Sequence, residues 1–204
     1  MRPKCAKAKG RRLQQFVRDA VIGALEHCGI TSEDVRSTTM GMGGEDIQLS
    51  SAAAKLWPYV VECKNVEKIN IWAALRQNAH HHHRPQQRPG TEPLLVFSRN
   101  RRQPMACVRA NHWDTRLRAE PFGPSEAMLQ AHNRLNLWRL VDESVTTSNG
   151  MFCLHKDGVG DAYVVLPFDR FIHLSTAHLR KDGGPCRGET VPIAGPNVGA
   201  CGLE

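Results

Sequence analysis

The segment YVVECKN, residues 59–65, is an apolar run that ends in an acid and a base one residue apart. Tyr and Val favour extended backbone, so the segment predicts a buried β-strand. Residues two apart on a strand share a face, which places Glu62 and Lys64 on one side and Cys63 on the other. Charges at such a position cost free energy unless they have partners, so we expect a functional site there.

A second short strand is predicted at residues 46–50, where polar and apolar side chains alternate. Asp46 begins the polar face of this strand. If the two strands are antiparallel neighbours, Asp46, Glu62 and Lys64 meet at one end of the sheet. Two carboxylates at such a point form an oxygen-rich site for a hard divalent ion, and we predict Mg²⁺, with Mn²⁺ as an alternative.

The predicted site has the residue types needed for phosphodiester hydrolysis. A bound divalent ion lowers the pKa of a water molecule, and Lys64 would position that water or stabilise the charge of the transition state. Gln77, on the inward face of the next predicted helix, would brace the lysine or the water. The alternative is a surface hairpin in which Glu62 and Lys64 form an ion pair on the solvent-exposed face. This alternative stays open because chance alone supplies about one E-x-K triplet in a chain of this length.

Helical and extended patterns alternate along the chain, which favours an α/β fold. Apolar residues at helical spacing predict a first helix over residues 13–25, with Gly29 as its stop. Asn65 is placed to cap a second helix that runs to Gln77. The remaining predictions are a polar, histidine-rich loop at 78–90, a buried strand at 94–97, a strand at 105–108, a helix at 125–141, a hairpin at 151–166 and a short helix at 167–174.

The charge balance favours a polyanionic partner. The chain of 204 residues has 27 Lys and Arg against 20 Asp and Glu, a formal charge of +7. Two basic clusters are candidates for phosphate contacts, although a solvated surface is the alternative for either one. The clusters are Arg2, Lys4, Lys7, Lys9, Arg11 and Arg12 at the start of the chain, and Arg99, Arg101 and Arg102 after the strand at 94–97.

The cysteines and the hydropathy pattern bear on location. The seven cysteines include no CxxC pair, which favours a reducing compartment over a disulfide framework or a zinc ribbon. No apolar run approaches the roughly 20 residues that a membrane span needs. An intracellular, cytoplasmic protein with no membrane partner is therefore predicted.

The arrangement Asp46, Glu62-Cys63-Lys64 and Gln77 resembles the PD-(D/E)XK nuclease superfamily, and more closely its Holliday junction resolvases, including resolvase-like endonucleases of phages. The resemblance covers residues 43–102 and 162–172. Its matching segments are GGEDIQLSSAAAKLWPYVVECKN, NIWAALRQ, PLLVFSRNRR and YVVLPFDRFI. It implies a restriction-endonuclease-like fold, with a central mixed β-sheet flanked by helices, that is active as a homodimer on branched DNA.

The resemblance also implies roles for individual residues. Asp46 and Glu62 match the metal-binding carboxylates, and the backbone carbonyl of Cys63 matches a further ligand. Lys64 matches the lysine that assists the attacking water, and Gln77 supports it.

Three further positions of the family pattern lie outside the central motif, and two of them differ in this sequence. The first helix of resolvases often supplies a metal-binding glutamate, and the corresponding place here holds Gln14 or Gln15. Glu45 replaces the proline of the family motif and is an alternative source of that carboxylate. Ser37 and Thr38 lie where resolvases can use a hydroxyl near the scissile phosphate, and a loop serine without a role is the alternative.

The sequence thus predicts a single nuclease domain over residues 1–180. Residues 103–161 resemble an insertion with its own helix and hairpin, and the Gly- and Pro-rich residues 181–204 are predicted to be a disordered tail. The predicted activity is Mg²⁺-dependent endonucleolytic cleavage of branched DNA such as Holliday junctions. The alternatives are a related nuclease acting on flaps, ends or mismatches, and a basic DNA-binding protein without catalysis.

Overall fold

A computed structural model describes residues 3–38, 44–82, 90–113, 117, 136–147, 150–155 and 162–180. Arg2, the side chain of Lys4, the predicted tail at 181–204 and most of the predicted helix at 125–141 lie outside these described residues.

The described chain is a seven-stranded mixed β-sheet flanked by helices, which confirms the predicted fold class. The strands are β1 (Val35–Ser37), β2 (Ile47–Leu49), β3 (Tyr59–Asn65), β4 (Glu92–Ser98), β5 (Met105–Arg109), β6 (Phe152–His155) and β7 (Ala162–Pro167). The helices are α1 (Pro3–Leu25), α2 (Ser51–Leu56), α3 (Ile71–His82), α4 (Ala110–His112), α5 (Leu137–Thr147) and α6 (Phe168–Thr176). The strand order is β1-β2-β3-β4-β5-β7-β6.

The central pair, β3 and β4, is parallel, and the other described pairs are antiparallel. Its register runs from Tyr59 opposite Glu92 to Asn65 opposite Ser98. A parallel pair needs a crossover connection, and α3 provides it. The carboxyl ends of β3 and β4 therefore lie side by side at one edge of the sheet.

Apolar side chains form a core on each face of the sheet. On one face, α1 and α6 pack against the strands, and Val61 and Cys63 belong to this core. On the other face, α3 and α5 pack against the strands through Trp72 and Trp138. Both faces of the central strands are buried, which is why β4 is a nearly continuous apolar run.

Helix α1 is longer than the sequence predicts. It begins at Pro3 rather than near Leu13, so the described basic residues of the N-terminal cluster are helical. Its end is as predicted, because Gly29 adopts the left-handed conformation after a short 3₁₀ turn and Ile30 is buried.

The predicted helix start at Asn65 is wrong. Strand β3 continues through Asn65, which pairs with Ser98, and the next helix begins at Ile71. Asn70 is the residue that caps it, because the Asn70 side-chain oxygen accepts a hydrogen bond of 3.0 Å from the Ala73 amide. Val66, which would lie in the first turn of the predicted helix, is 40% exposed.

The predicted loop at 78–90 is also partly wrong, because α3 extends through His82. The buried side chain of Asn78 continues the inward face formed by Ala74 and Leu75, so packing on the sheet carries the helix beyond the predicted boundary.

The described residues within 103–161, the range predicted to be an insertion, contribute β5 and β6 to the sheet, and the strand predicted at 105–108 is confirmed as β5. Strand β5 lies between β4 and β7, and α5 covers the face that also contacts α3. The predicted hairpin of β6 and β7 is confirmed as an antiparallel pair. The short helix predicted at 167–174 is confirmed as α6.

Gly150 provides a test of this packing. Its φ is +79°, and a Cβ atom there would lie 2.8 Å from the Pro167 Cγ atom. We expect Gly150→Ala to lower the free energy of unfolding by about 1 to 3 kcal/mol, because it combines a left-handed backbone with a steric clash. Denaturant unfolding measures this change.

The matched control is Gly23→Ala. Gly23 lies in α1, and a Cβ atom there meets no atom within 4 Å. Alanine should raise the free energy of unfolding by about 0.5 to 1 kcal/mol because it favours helical backbone. Equal effects of the two substitutions would contradict the packing described at Gly150.

Candidate active site

A closed hydrogen-bonded ring occupies the carboxyl end of β3 on the face that α3 covers. Glu62 is only 3% exposed. Its Oε1 atom accepts hydrogen bonds from Lys64 Nζ at 2.5 Å and from Gln77 Nε2 at 2.9 Å. Lys64 Nζ also donates to Gln77 Oε1 at 3.0 Å. The buried carboxylate is therefore paired with a cation and further hydrogen-bonded, as a buried charge requires.

The local fold explains how the ring forms. Glu62 and Lys64 are two residues apart on a strand, so their side chains leave the same face. Helix α3 returns over that face on its way to β4, and Gln77 lies in its second turn. The predicted grouping of these three residues is thus found in the structure.

Asp46 lies beside β3 on the side of β2, whereas β4 lies on the other side of β3. It lies directly before β2, which is antiparallel to β3, and the Asp46 amide donates to the Val61 carbonyl at 2.9 Å. Asp46 Oδ2 accepts a hydrogen bond of 2.7 Å from the Cys63 amide. The antiparallel arrangement that the sequence prediction required is therefore present.

The electrostatic environment of Asp46 shows that the two carboxylates interact. Burial raises the pKa of Asp46, and the negative charge of Glu62 raises it further. The hydrogen bond from the Cys63 amide, the one from Gln14 and the charge of Lys64 act in the opposite direction. A cation placed between two such carboxylates would remove their repulsion.

Gln14 of α1 is the first-helix residue that contacts the site. Its Nε2 atom donates to Asp46 Oδ1 at 2.5 Å, and the residue is 8% exposed. Its Oε1 atom is buried and has no hydrogen-bond partner among the described residues. Because an unpaired buried acceptor costs free energy, an additional donor or a cation at this oxygen would be stabilising. Gln15, the other predicted candidate, is half-buried on the same helix.

The side chains around Asp46 offer oxygen atoms of the type that bind hard divalent ions. Among the described residues, no group of three or more His, Cys, Asp or Glu side chains is arranged to hold a metal ion. Asp46 and Glu62 supply two carboxylates, and the Gln14 amide supplies a neutral oxygen of the type that Mg²⁺ and Ca²⁺ accept. By residue type, these donors match the oxygen ligands of a hard divalent ion, which would be held by two charges and neutral oxygens.

The Cys63 thiol is not placed to act as a nucleophile or as a metal ligand at this site. It is buried on the α1 face, and burial raises its pKa well above the usual range, with the charges of Asp46 and Glu62 adding to the effect. A neutral, buried thiol is a poor nucleophile. The role of its backbone carbonyl as a metal ligand stays a prediction from the resemblance.

The other auxiliary residues lie at the adjoining end of β1. Ser37 pairs with Ile47, and the Thr38 amide donates to the Asp46 carbonyl at 2.9 Å. The Thr38 hydroxyl donates to the Glu45 carbonyl at 2.5 Å. These bonds hold the backbone on both sides of Asp46 and bring Ser37 to the same edge.

The N-terminal basic cluster approaches this edge along α1. The Asn65 side chain donates to the Lys9 carbonyl at 3.3 Å, and Lys9 Nζ lies 3.7 Å from Glu67. Lys7, Arg11 and Arg12 are exposed on the first turns of the helix.

The second basic cluster follows β4 at the same edge. Arg99 and Arg102 form ion pairs with Asp142 of α5 at 3.2 Å and 3.1 Å, and Arg101 is exposed. Asp142 is a partner that the sequence does not predict, because no local pattern links a residue to one about 40 positions away.

Comparisons with models of known protein families, with curated protein sequences and with solved structures found no match. In the part of the chain that the structure describes, none of the helices is both long enough and apolar enough to cross a lipid bilayer.

The raised pKa of Asp46 predicts how stability changes with pH. A carboxyl group whose pKa is higher in the folded than in the unfolded protein stabilises the fold while protonated, and this contribution is lost as the pH rises through the raised pKa. In a buffer with a chelator, Asp46→Asn should therefore gain free energy of unfolding relative to wild type as the pH rises from about 4. Denaturant unfolding across a pH series measures the difference.

Asp34 provides a control, because its pKa is shifted in the opposite direction to that of Asp46. Hydrogen bonds from the Ser50 side chain and from Thr31 lower the pKa of Asp34, so its carboxylate stabilises the fold above the unfolded pKa and that contribution is lost as the pH falls. Asp34→Asn should lose stability relative to wild type as the pH rises. If the Asp46→Asn difference stays constant while the Asp34→Asn difference changes, the Asp46 carboxyl is not perturbed as described.

Proposed function

We propose that the protein is a metal-dependent DNA endonuclease that hydrolyses phosphodiester bonds in branched DNA such as Holliday junctions. The observation that carries the proposal is the meeting of Asp46 and Glu62 with Lys64 and Gln77 at one edge of the sheet. Two interacting carboxylates beside a buried strand destabilise the fold unless something offsets their repulsion, so a ligand is the better explanation of their presence.

Mg²⁺, or Mn²⁺ in its place, would be held by Asp46 and Glu62, with the Gln14 side-chain oxygen and the Cys63 carbonyl as neutral ligands. When bound, the ion lowers the pKa of a water molecule and offsets negative charge on the phosphoryl group. Lys64 brings a positive charge to the same face, where it stabilises the charge that develops in the transition state. Gln77 holds the lysine in this position through its Oε1 atom.

The basic residues supply the proposed DNA contacts. The first turns of α1 and the turn at 99–102 lie at the sheet edge that carries the carboxylates, so a phosphate backbone crossing this edge meets positive charge on both sides. Two copies of the chain acting as a homodimer would cut a junction symmetrically. The proposed location is the cytoplasm, which for a phage-encoded enzyme is that of the host.

The first test uses a labelled four-way junction. Wild-type protein should produce paired nicks only when Mg²⁺ or Mn²⁺ is present, because hydrolysis depends on the carboxylate site. Asp46→Asn and Glu62→Gln should each reduce the cleavage rate at least about 100-fold while the junction is still bound, since neither residue belongs to the basic clusters. Denaturing gels measure cleavage, and gel shifts in a chelator measure binding.

The outcomes separate the alternatives. Equal cutting of linear duplex or of flaps would favour a nuclease acting on other DNA structures. Binding without cleavage under any divalent ion would favour a DNA-binding protein in which the ring of Glu62, Lys64 and Gln77 is only an internal polar network. Absence of DNA binding would overturn both proposals.

A substitution of Gln14 tests the proposed metal site through the melting temperature of the protein, without an activity assay. Replacing Gln14 by Glu adds a third carboxylate beside Asp46, which should raise Mg²⁺ affinity roughly tenfold and lower the melting temperature of metal-free protein. The measurement is the shift of melting temperature as Mg²⁺ is added to chelator-treated protein.

Gln15→Glu is the matched control, since it adds the same charge to the neighbouring position of α1. Its melting temperature should respond to Mg²⁺ as the wild type does. Identical metal responses of the two variants would show that Gln14 has no part in ion binding.

A further inference from the structure

The turn that follows β4 has a strained residue at its centre. The Arg102 amide donates to the Arg99 carbonyl at 3.2 Å, which closes a four-residue turn, and the Ser98 hydroxyl contacts the carbonyls of Arg99 and Arg102 at 3.1 Å and 3.0 Å. Arg101, the third residue of the turn, has φ of +58° and is the only described residue other than glycine with positive φ. Glycine or asparagine is favoured at such a position, so arginine there is a cost to the fold.

The two neighbouring arginines have structural partners. Arg99 and Arg102 both pair with Asp142, and the Arg99 guanidinium lies 4.9 Å from the ring centroid of Trp138. They attach the turn to α5. The side chain of Arg101 is exposed, and among the described residues no acidic group forms an ion pair with it.

The position of the turn links it to the candidate active site. Ser98 pairs with Asn65, and the Val66 amide donates to the Ser98 carbonyl at 3.0 Å. Arg101 therefore follows the end of β4 by three residues, at the edge where β3 ends at Asn65, one residue after Lys64.

We propose that Arg101 binds a backbone phosphate of the DNA substrate, and that Arg99 and Arg102 hold the turn on α5 instead of contacting DNA. Strained backbone that the surrounding structure holds in place is concentrated at binding sites, and guanidinium groups bind phosphate through two parallel hydrogen bonds. The inference rests on the proposed function and narrows it, because it assigns the DNA contact of this cluster to one of three adjacent arginines.

The test compares two substitutions of Arg101. Both Arg101→Gly and Arg101→Ala should weaken binding of a four-way junction in chelator and reduce the slope of log affinity against log salt by about 0.9, which corresponds to one phosphate contact. Arg101→Gly should melt at a temperature roughly 2 to 4 °C above that of Arg101→Ala, since glycine accepts the left-handed backbone. The glycine variant thus loses binding while it relieves strain.

Two controls isolate the effect. Arg180→Ala removes the same charge from an exposed position next to Leu179, whose carbonyl contacts His27 beyond the carboxyl end of α1, and should leave the salt slope unchanged. Arg102→Gln breaks the pair with Asp142, so it should lower the melting temperature and also leave the slope unchanged.

The results distinguish this inference from the proposed function. If wild-type protein binds the junction and Arg101→Gly binds with the same slope, the assignment of Arg101 is wrong while the nuclease proposal stands. A slope reduction in Arg102→Gln equal to that in Arg101→Gly would overturn the division of roles within the turn. If wild-type protein binds no DNA, the proposed function fails and this inference fails with it.

Discussion

The parallel pairing of β3 with β4 is the constraint on which the arrangement of the site depends. Seven consecutive residue pairs hold the two strands in register, and both faces are covered. This register places Lys64 and the turn at 99–102 at one edge, and the crossover it requires brings Gln77 over Glu62. A shift of one residue would move Glu62 to the apolar α1 face, where a carboxylate has no such partners.

Strand parity accounts for the part of the site that the sequence predicts. Alternation along residues 46–49 and 61–64 identifies the faces of Asp46, Glu62 and Lys64, because side-chain direction on a strand depends on local spacing alone. The contacts of Gln14 with Asp46 and of Arg99 with Asp142 join residues 32 and 43 positions apart. Such contacts depend on how helices pack on the sheet, which no local pattern encodes.

The errors of prediction have the same origin. Asn65 has the chemistry of a helix cap, yet pairing with Ser98 keeps it in the strand, and Asn70 takes that role. The strand predicted at 105–108 is β5, but its position as an interior strand depends on pairing with β4 and β7, which no pattern within residues 103–161 shows. For Asn65, strand pairing with a partner distant in sequence outweighs local propensity.

Helix α1 joins the N-terminal basic cluster to the site around Asp46, two features that the sequence predictions treat as unrelated. It is a single helix of 23 residues, about 34 Å long, and Lys9 and Gln14 lie about 7.5 Å apart along its axis. Lys9 adjoins the end of β3, and Gln14 donates to Asp46. One helix therefore carries both a basic segment beside the end of β3 and the amide that donates to the Asp46 carboxylate, so the helical rise alone sets the spacing between them.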